Sequence, residues 1–320
     1  MYYMKNILCI IALILVMASM ASIAACTHEN QHEIEEETPT ATLQTSTPTA
    51  TPENTPFAIP AIPATPPAPI IIDHRCANIS EIPQEWILEA KSDLHIAYGH
   101  TSHGSQVTDG MSELIDFAGD LYSWNEDGSG GALQLKDGGL GEASDLGNPD
   151  FTAWESTTRD YLDSHPSTNV VMWSWCGQVS DATSDDIDTY LSLMSRLEED
   201  SPSVKFVYMT GHTDGTGLEG NLHIRNQQIR DYCAANDKIL YDFEDIESYD
   251  PDGNYFGDKY VNDACDYDGG NWAIEWQDSH QKGVDWYDCP SAHSQPLNAN
   301  LKAYAAWWLW ARLAGWDGNG

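Results

Sequence analysis

Leu94-His95-Ile96-Ala97-Tyr98-Gly99-His100-Thr101-Ser102-His103-Gly104-Ser105 is the stretch whose reading decides the fold class. The mostly apolar run Leu94 to Tyr98 reads as a buried strand, and Gly99 ends it. A loop of hydroxyls and imidazoles follows. A helical pattern then starts near Val107, with Met111, Leu114, Ile115 and Ala118 along one face. A strand that breaks into Gly, Ser and His and turns into a helix is the layout in which α/β proteins place a nucleophile or a phosphate site.

Three other runs share that strand character: Val170 to Trp175, Lys205 to Met209 and Ile239 to Phe243, with Ala132 to Leu135 a shorter fifth. Helical patterns lie between them. Ile187, Leu191, Met194 and Leu197 form an apolar stripe behind Asp181 to Asp186, whose negative charge suits a helix N-terminus. Another pattern runs from about Gly220 to Asn236, and the last from about Pro296 to Gly315. Strands alternating with helices predict parallel βαβ units and an α/β domain.

In parallel sheets, ligands sit beyond the carboxyl ends of the strands. The segments expected there are Gly99 to Ser105, Cys176-Gly177-Gln178-Val179-Ser180, Thr210-Gly211-His212-Thr213-Asp214-Gly215 and Glu244-Asp245. The first three are rich in Gly, Ser, Thr and His. A further imidazole, His293, lies in Cys289-Pro290-Ser291-Ala292-His293, just before the last helix. A serine near one end of the domain and a histidine near the other suggest a serine hydrolase.

Outside this domain the composition changes. Lys5, the apolar run Ile7 to Met17 and the sequence Ile23-Ala24-Ala25-Cys26 resemble a prokaryotic lipoprotein signal, residues 1–25, with Cys26 as the lipidated residue. An ordinary secretory signal cut near Ala25, or an uncleaved anchor, are the alternatives. All three predict an extracytoplasmic protein, and the first predicts membrane contact through an N-terminal lipid. Residues 26–71 read as a Thr/Pro-rich stalk, since nine of the sixteen prolines fall between Pro39 and Pro69. Residues 72–320 are then one folded domain, with a Trp- and Asp-rich insertion at about 248–292.

Fifty acidic residues stand against fourteen basic ones. That balance excludes nucleic acid and anionic membrane surfaces as partners. Beyond Cys9 and Cys26 there are five cysteines: Cys76, Cys176, Cys233, Cys265 and Cys289. An odd number leaves at least one unpaired. Cys265 with Cys289 is the pairing expected here, as it would clip an insertion without regular structure.

The order of elements resembles the SGNH/GDSL hydrolase superfamily over about residues 90–315. The resemblance implies a three-layer, flavodoxin-like α/β/α sandwich and ester hydrolysis through an acyl-enzyme, on carbohydrate-linked acyl groups or small esters. No cofactor is required by it. It places the nucleophile at Ser102, with Thr101 and Ser105 as rivals, and the general base at His293. The usual Gly-Asp-Ser is replaced by His100-Thr101-Ser102-His103-Gly104, and Asp-x-x-His is absent, so Asp288 is the nearest acid to orient His293. Gly141 and Gln178, the latter in place of the usual Asn, would hold the oxyanion. His100, His103 and His212 would line the pocket.

Each of these residues also has a plainer use. Ser102 can cap the helix that follows it, and His293 can bond backbone at a helix start. His100, His103 and His212, with His293 or Asp214, could instead bind a metal, which predicts a metal-dependent or non-catalytic relative. Trp272, Trp276 and Trp286 could stack on a glycan or cover the core. Asp250, Asp252 and Asn254 resemble a calcium loop that lacks the closing Glu, and would hold a structural calcium or form a turn.

Overall fold

The computed structural model describes residues 69–319. The signal segment, Cys26 and nearly all of the stalk lie outside the described residues. The elements in chain order are β1 (Ile70–Ile72), α1 (Gln84–Asp93), β2 (His95–Gly99), α2 (Ser102–Ala118), β3 (Trp124–Asn125) and β4 (Leu133–Asp137). There follow α3 (Ala153–Ser164), β5 (Val170–Trp173), α4 (Ser184–Asp200), β6 (Lys205–Met209), α5 (Asn221–Ala235), β7 (Ile239–Tyr241) and α6 (Phe243–Glu247). The short hairpin β8 (Asp266–Tyr267) and β9 (Gly270–Asn271), then α7 (Trp272–Ser279) and α8 (Pro296–Ala314), complete the set.

Seven strands form one sheet in the order β1-β7-β6-β5-β2-β4-β3, and every pairing in it is parallel. Its centre, β7-β6-β5-β2-β4, has the flavodoxin-like order, and the topological switch point falls between β2 and β5. Strands β5 and β7 are apolar throughout, and β2 and β6 nearly so, because both faces of the sheet are covered there, whereas β4 alternates. Alternate residues serve opposite cores. Ile96, Tyr98, Val170, Met172, Val207 and Met209 enter the core built with α1, α2 and α8. Ala97, Val171, Trp173, Phe206, Tyr208 and Leu240 enter the one built with α3, α4 and α5.

Helix α8 is apolar nearly all round because it lies against α2, α1 and β1. Gly110 allows α2 to approach it closely: a Cβ there would stand 2.3 Å from the carbonyl oxygen of Ala299. Among the described residues no helix is long and apolar enough to cross a membrane.

Several expectations are corrected. Helix α2 starts at Ser102, not near Val107, because its first turn is polar and buries His103 and Gly104 rather than an apolar stripe. The insertion is not irregular: it holds β8, β9 and α7, whose cap is the Asn271 side chain accepting from the Ile274 N–H. Cys265 and Cys289 are not bridged. The Cys265 thiol faces the Ser294 hydroxyl at 3.3 Å, while the Cys289 sulfur accepts from the Asn300 amide at 3.3 Å.

Candidate functional site

The site is built where the ends of β2 and β5 diverge. Helix α2 begins three residues after Gly99, so Ser102 and His103 occupy its first turn. Gly104 lets that turn settle against the end of β5, since a Cβ there would fall 2.2 Å from the Ser174 hydroxyl. Tyr98 donates to the Gly104 carbonyl at 2.9 Å from beneath. The N-cap residue Thr101 does not cap with its side chain. Its hydroxyl donates instead to Asp145 at 2.6 Å.

Asp145 is 1% exposed and joins the two loops. Its other oxygen accepts from the Gly147 N–H and the Gln178 amide, both at 3.0 Å. The Gln178 carbonyl oxygen in turn accepts from the Cys176 N–H at 2.9 Å. The start of α2 and the turn carrying Cys176 are thereby held as one frame.

In that frame His103 lies between a sulfur and a carboxylate. Its Nδ1 is 3.4 Å from Cys176 Sγ, and its Nε2 is 3.0 Å from Asp263 Oδ2. Ser102 Oγ is 3.5 Å from the same sulfur. The His103 ring stacks on His212 at 3.7 Å between centroids and on His293 at 4.4 Å. Burial alone would lower the His103 pKa, but the Asp263 carboxylate and the Cys176 sulfur outweigh it and push it up to about 9. His103 pulls the Cys176 thiol down to about 7, against burial, with help from the Ser102 hydroxyl. Burial would raise Asp263, yet His103 and the neighbouring imidazoles hold it below the usual carboxylate range. His212 is lowered by burial.

The loop carrying His212 is anchored from below. The Thr213 N–H donates to Glu247 at 3.2 Å, and Glu247 pairs with Lys302 of α8 at 2.8 Å, both side chains being wholly buried. Lys302 also donates to Gln106 of α2, whose amide reaches the Ala292 carbonyl next to His293. One buried network therefore holds α2, the His212 loop and the His293 loop.

Of the residues singled out in the sequence, Ser102, His103, His212 and His293 meet here. His293 is exposed and adopts a φ of 66°. His100 turns to the other side, where Nε2 meets Asp137 at 2.7 Å. Asp288 is exposed and pairs with Lys282 at 2.6 Å, not with His293. Gln178 uses its amide within the frame just described. Gly141 lies on the exposed stretch against Thr157 of α3. Asp214 accepts from Ser180 and Thr216.

The loop with Asp250, Asp252 and Asn254 is a self-bonded turn: Asp250 accepts from the backbone N–H groups of Asp252 and Asn254. Trp272 is buried, and Trp276 stacks on His280 while donating to Asp252.

Two members of the site were given no role in the reading of the sequence. Cys176 directly follows an apolar run, so its place at the sheet edge was the available signal. Asp263 had none. It reaches His103 because the insertion folds back, with Asn262 bridging Asp214 and the Gly215 N–H donating to Val261.

Fold and site together define a flavodoxin-like α/β sandwich with Cys176, His103 and Asp263 in contact at its switch point. No protein-family model matches the chain, and no curated protein matches it.

Proposed function

We propose that this domain is an acyl hydrolase that uses Cys176 as its nucleophile. The observation that carries this reading is the relay itself: sulfur, imidazole and carboxylate in line, at 3.4 and 3.0 Å. A thiol becomes an effective nucleophile when an adjacent imidazole takes its proton and a third group orients that imidazole. His103 accepts the Cys176 proton through Nδ1, and the sulfur attacks a carbonyl carbon. The oxyanion that forms is met by free N–H groups in the first turn of α2, where the helix dipole also favours negative charge. His103 returns the proton to the departing alcohol or amine, leaving a thioester. Water, deprotonated by His103, then cleaves it and regenerates the thiol. Asp263 keeps Nε2 protonated throughout.

The substrate class is a small or glycan-borne ester. The formal charge of −36 disfavours anionic substrates. A serine route through Ser102 is the second reading, because its hydroxyl lies 3.5 Å from the same sulfur. The deciding experiment incubates the protein with p-nitrophenyl acetate and reads which peptide gains an acetyl group. Acetylation of Cys176, lost in Cys176→Ala and kept in Ser102→Ala, is expected. Acetylation of Ser102 that persists in Cys176→Ala would transfer the role to the serine. No turnover with any ester would end the hydrolase reading.

A further inference from the structure

His212 is the least explained member of the site. It is 8% exposed, and its Nε2 has no hydrogen-bond partner among the described residues. Its Nδ1 lies 2.7 Å from the Thr213 carbonyl oxygen. A carbonyl can only accept, so Nδ1 carries the hydrogen, and the neutral ring presents a lone pair at Nε2. Leaving that lone pair buried and unmatched costs about 1–3 kcal/mol. It points into the site: a Cβ on Gly177, next to Cys176, would come within 3.9 Å of it. The acyl-transfer chemistry does not use it.

We propose that His103, His212 and Asp263 form a binding site for a borderline-soft divalent cation, with Zn²⁺ its best match. One ligand atom from each of the three lies within 4.8 Å of the others. Tetrahedral zinc with bonds of about 2.1 Å needs ligand atoms about 3.4 Å apart, so the set must close on the ion, and the His103 and His212 rings, stacked at 3.7 Å, must turn out of that stack for their lone pairs to converge. Two nitrogens and one carboxylate oxygen suit zinc, whereas calcium and magnesium favour all-oxygen shells. The Thr213 carbonyl supplies the outer hydrogen bond that a zinc-bound imidazole ordinarily makes through its second nitrogen. His100, held by Asp137, is not part of the set.

The consequence is regulatory. His103 cannot bind zinc through the nitrogen that faces Asp263 and keep its relay with that carboxylate, so zinc occupancy withdraws the base from Cys176. The site itself does not depend on the acyl-hydrolase reading, because it is tested by bound metal and not by turnover.

The test is equilibrium dialysis of the full chain against Zn²⁺, with metal content read by atomic emission. One zinc per chain is expected for wild type and for His100→Gln. His212→Gln and the partly exposed Asp263→Asn should each weaken binding about 100-fold or more, with unchanged circular dichroism. Substoichiometric zinc in the wild type would overturn the proposal. So would wild-type binding by folded His212→Gln or Asp263→Asn. Zinc binding, together with no ester turnover by the metal-free protein, would leave this site standing and remove only the hydrolase.

Discussion

His103 Nδ1 faces Cys176 Sγ at 3.4 Å across the switch point between β2 and β5. His103 lies in the first turn of α2 and Cys176 in the turn after β5, and Asp145 ties the two segments together by accepting from Thr101 in one and Gln178 in the other. This contact separates Cys176 from the other four cysteines of the domain, which are all buried and whose thiols are all pushed up by burial.

Cys176 should therefore be the thiol that reacts. In EDTA at neutral pH, iodoacetamide is expected to modify it at least about tenfold faster than Cys76, Cys233, Cys265 or Cys289 in the folded protein. His103→Ala should slow that modification by about tenfold. Peptide mass spectrometry over a time course measures both, and equal rates in wild type and variant would show that the imidazole does not activate the sulfur.

Asp145→Ala should destabilise the domain by about 3 kcal/mol, because it strands the Thr101 hydroxyl, the Gly147 N–H and the Gln178 amide. Urea unfolding gives the stability. The same variant should lose selective alkylation of Cys176, since the frame that aligns it with His103 is gone. A stable variant with wild-type reactivity would show that the frame is dispensable.

The Lys302–Glu247 pair makes a different prediction. Lys302→Met alone leaves a buried carboxylate without its cation and should cost about 3–5 kcal/mol. Adding Glu247→Gln removes that charge and should recover a large part of the loss. Chemical denaturation of the single and double variants decides. A double variant as unstable as the single would mean that packing, not charge, dominates there.

Acid sensitivity has an identifiable contributor in Glu244. Burial would raise its pKa, but the His223 imidazole, the Arg230 guanidinium and the Asn226 amide together hold it below the usual carboxylate value. A depressed folded pKa contributes stability that is complete above the unfolded pKa, about 4.3, and is lost as pH falls through the lower folded value. Asp242 beside it is raised by burial and acts in the opposite sense, so the wild-type profile alone is ambiguous. Glu244→Gln isolates the effect. Its melting temperature should fall less than that of wild type as pH drops from neutral, through about 4.3, to about pH 3. Parallel pH profiles would show that Glu244 contributes nothing to acid lability.

The central strands were legible because a strand buried on both faces is mostly apolar along its length: Lys205–Met209 coincides with its sequence reading, and four others agree within a few residues. Helices α1 and α3 were missed. Their apolar stripes are short, with only Ile87 and Ala90 buried in α1, and with Trp154, Thr157 and Thr158 in α3. Strand β1 was hidden by the prolines just before it.

What the sequence by itself determined was the alternation of strands and helices, and hence which loops gather at one edge of a parallel sheet. Those are consequences of local periodicity and burial. Only the tertiary structure decided the partners within that edge. Asp263 meets His103 from 160 positions away, Asp288 meets Lys282 instead of His293, and a cysteine takes the place beside the imidazole that the sequence reading gave to a serine. Hydrogen bonds between loops depend on where packing sets each backbone, to within an ångström, and no spacing along the chain encodes that distance.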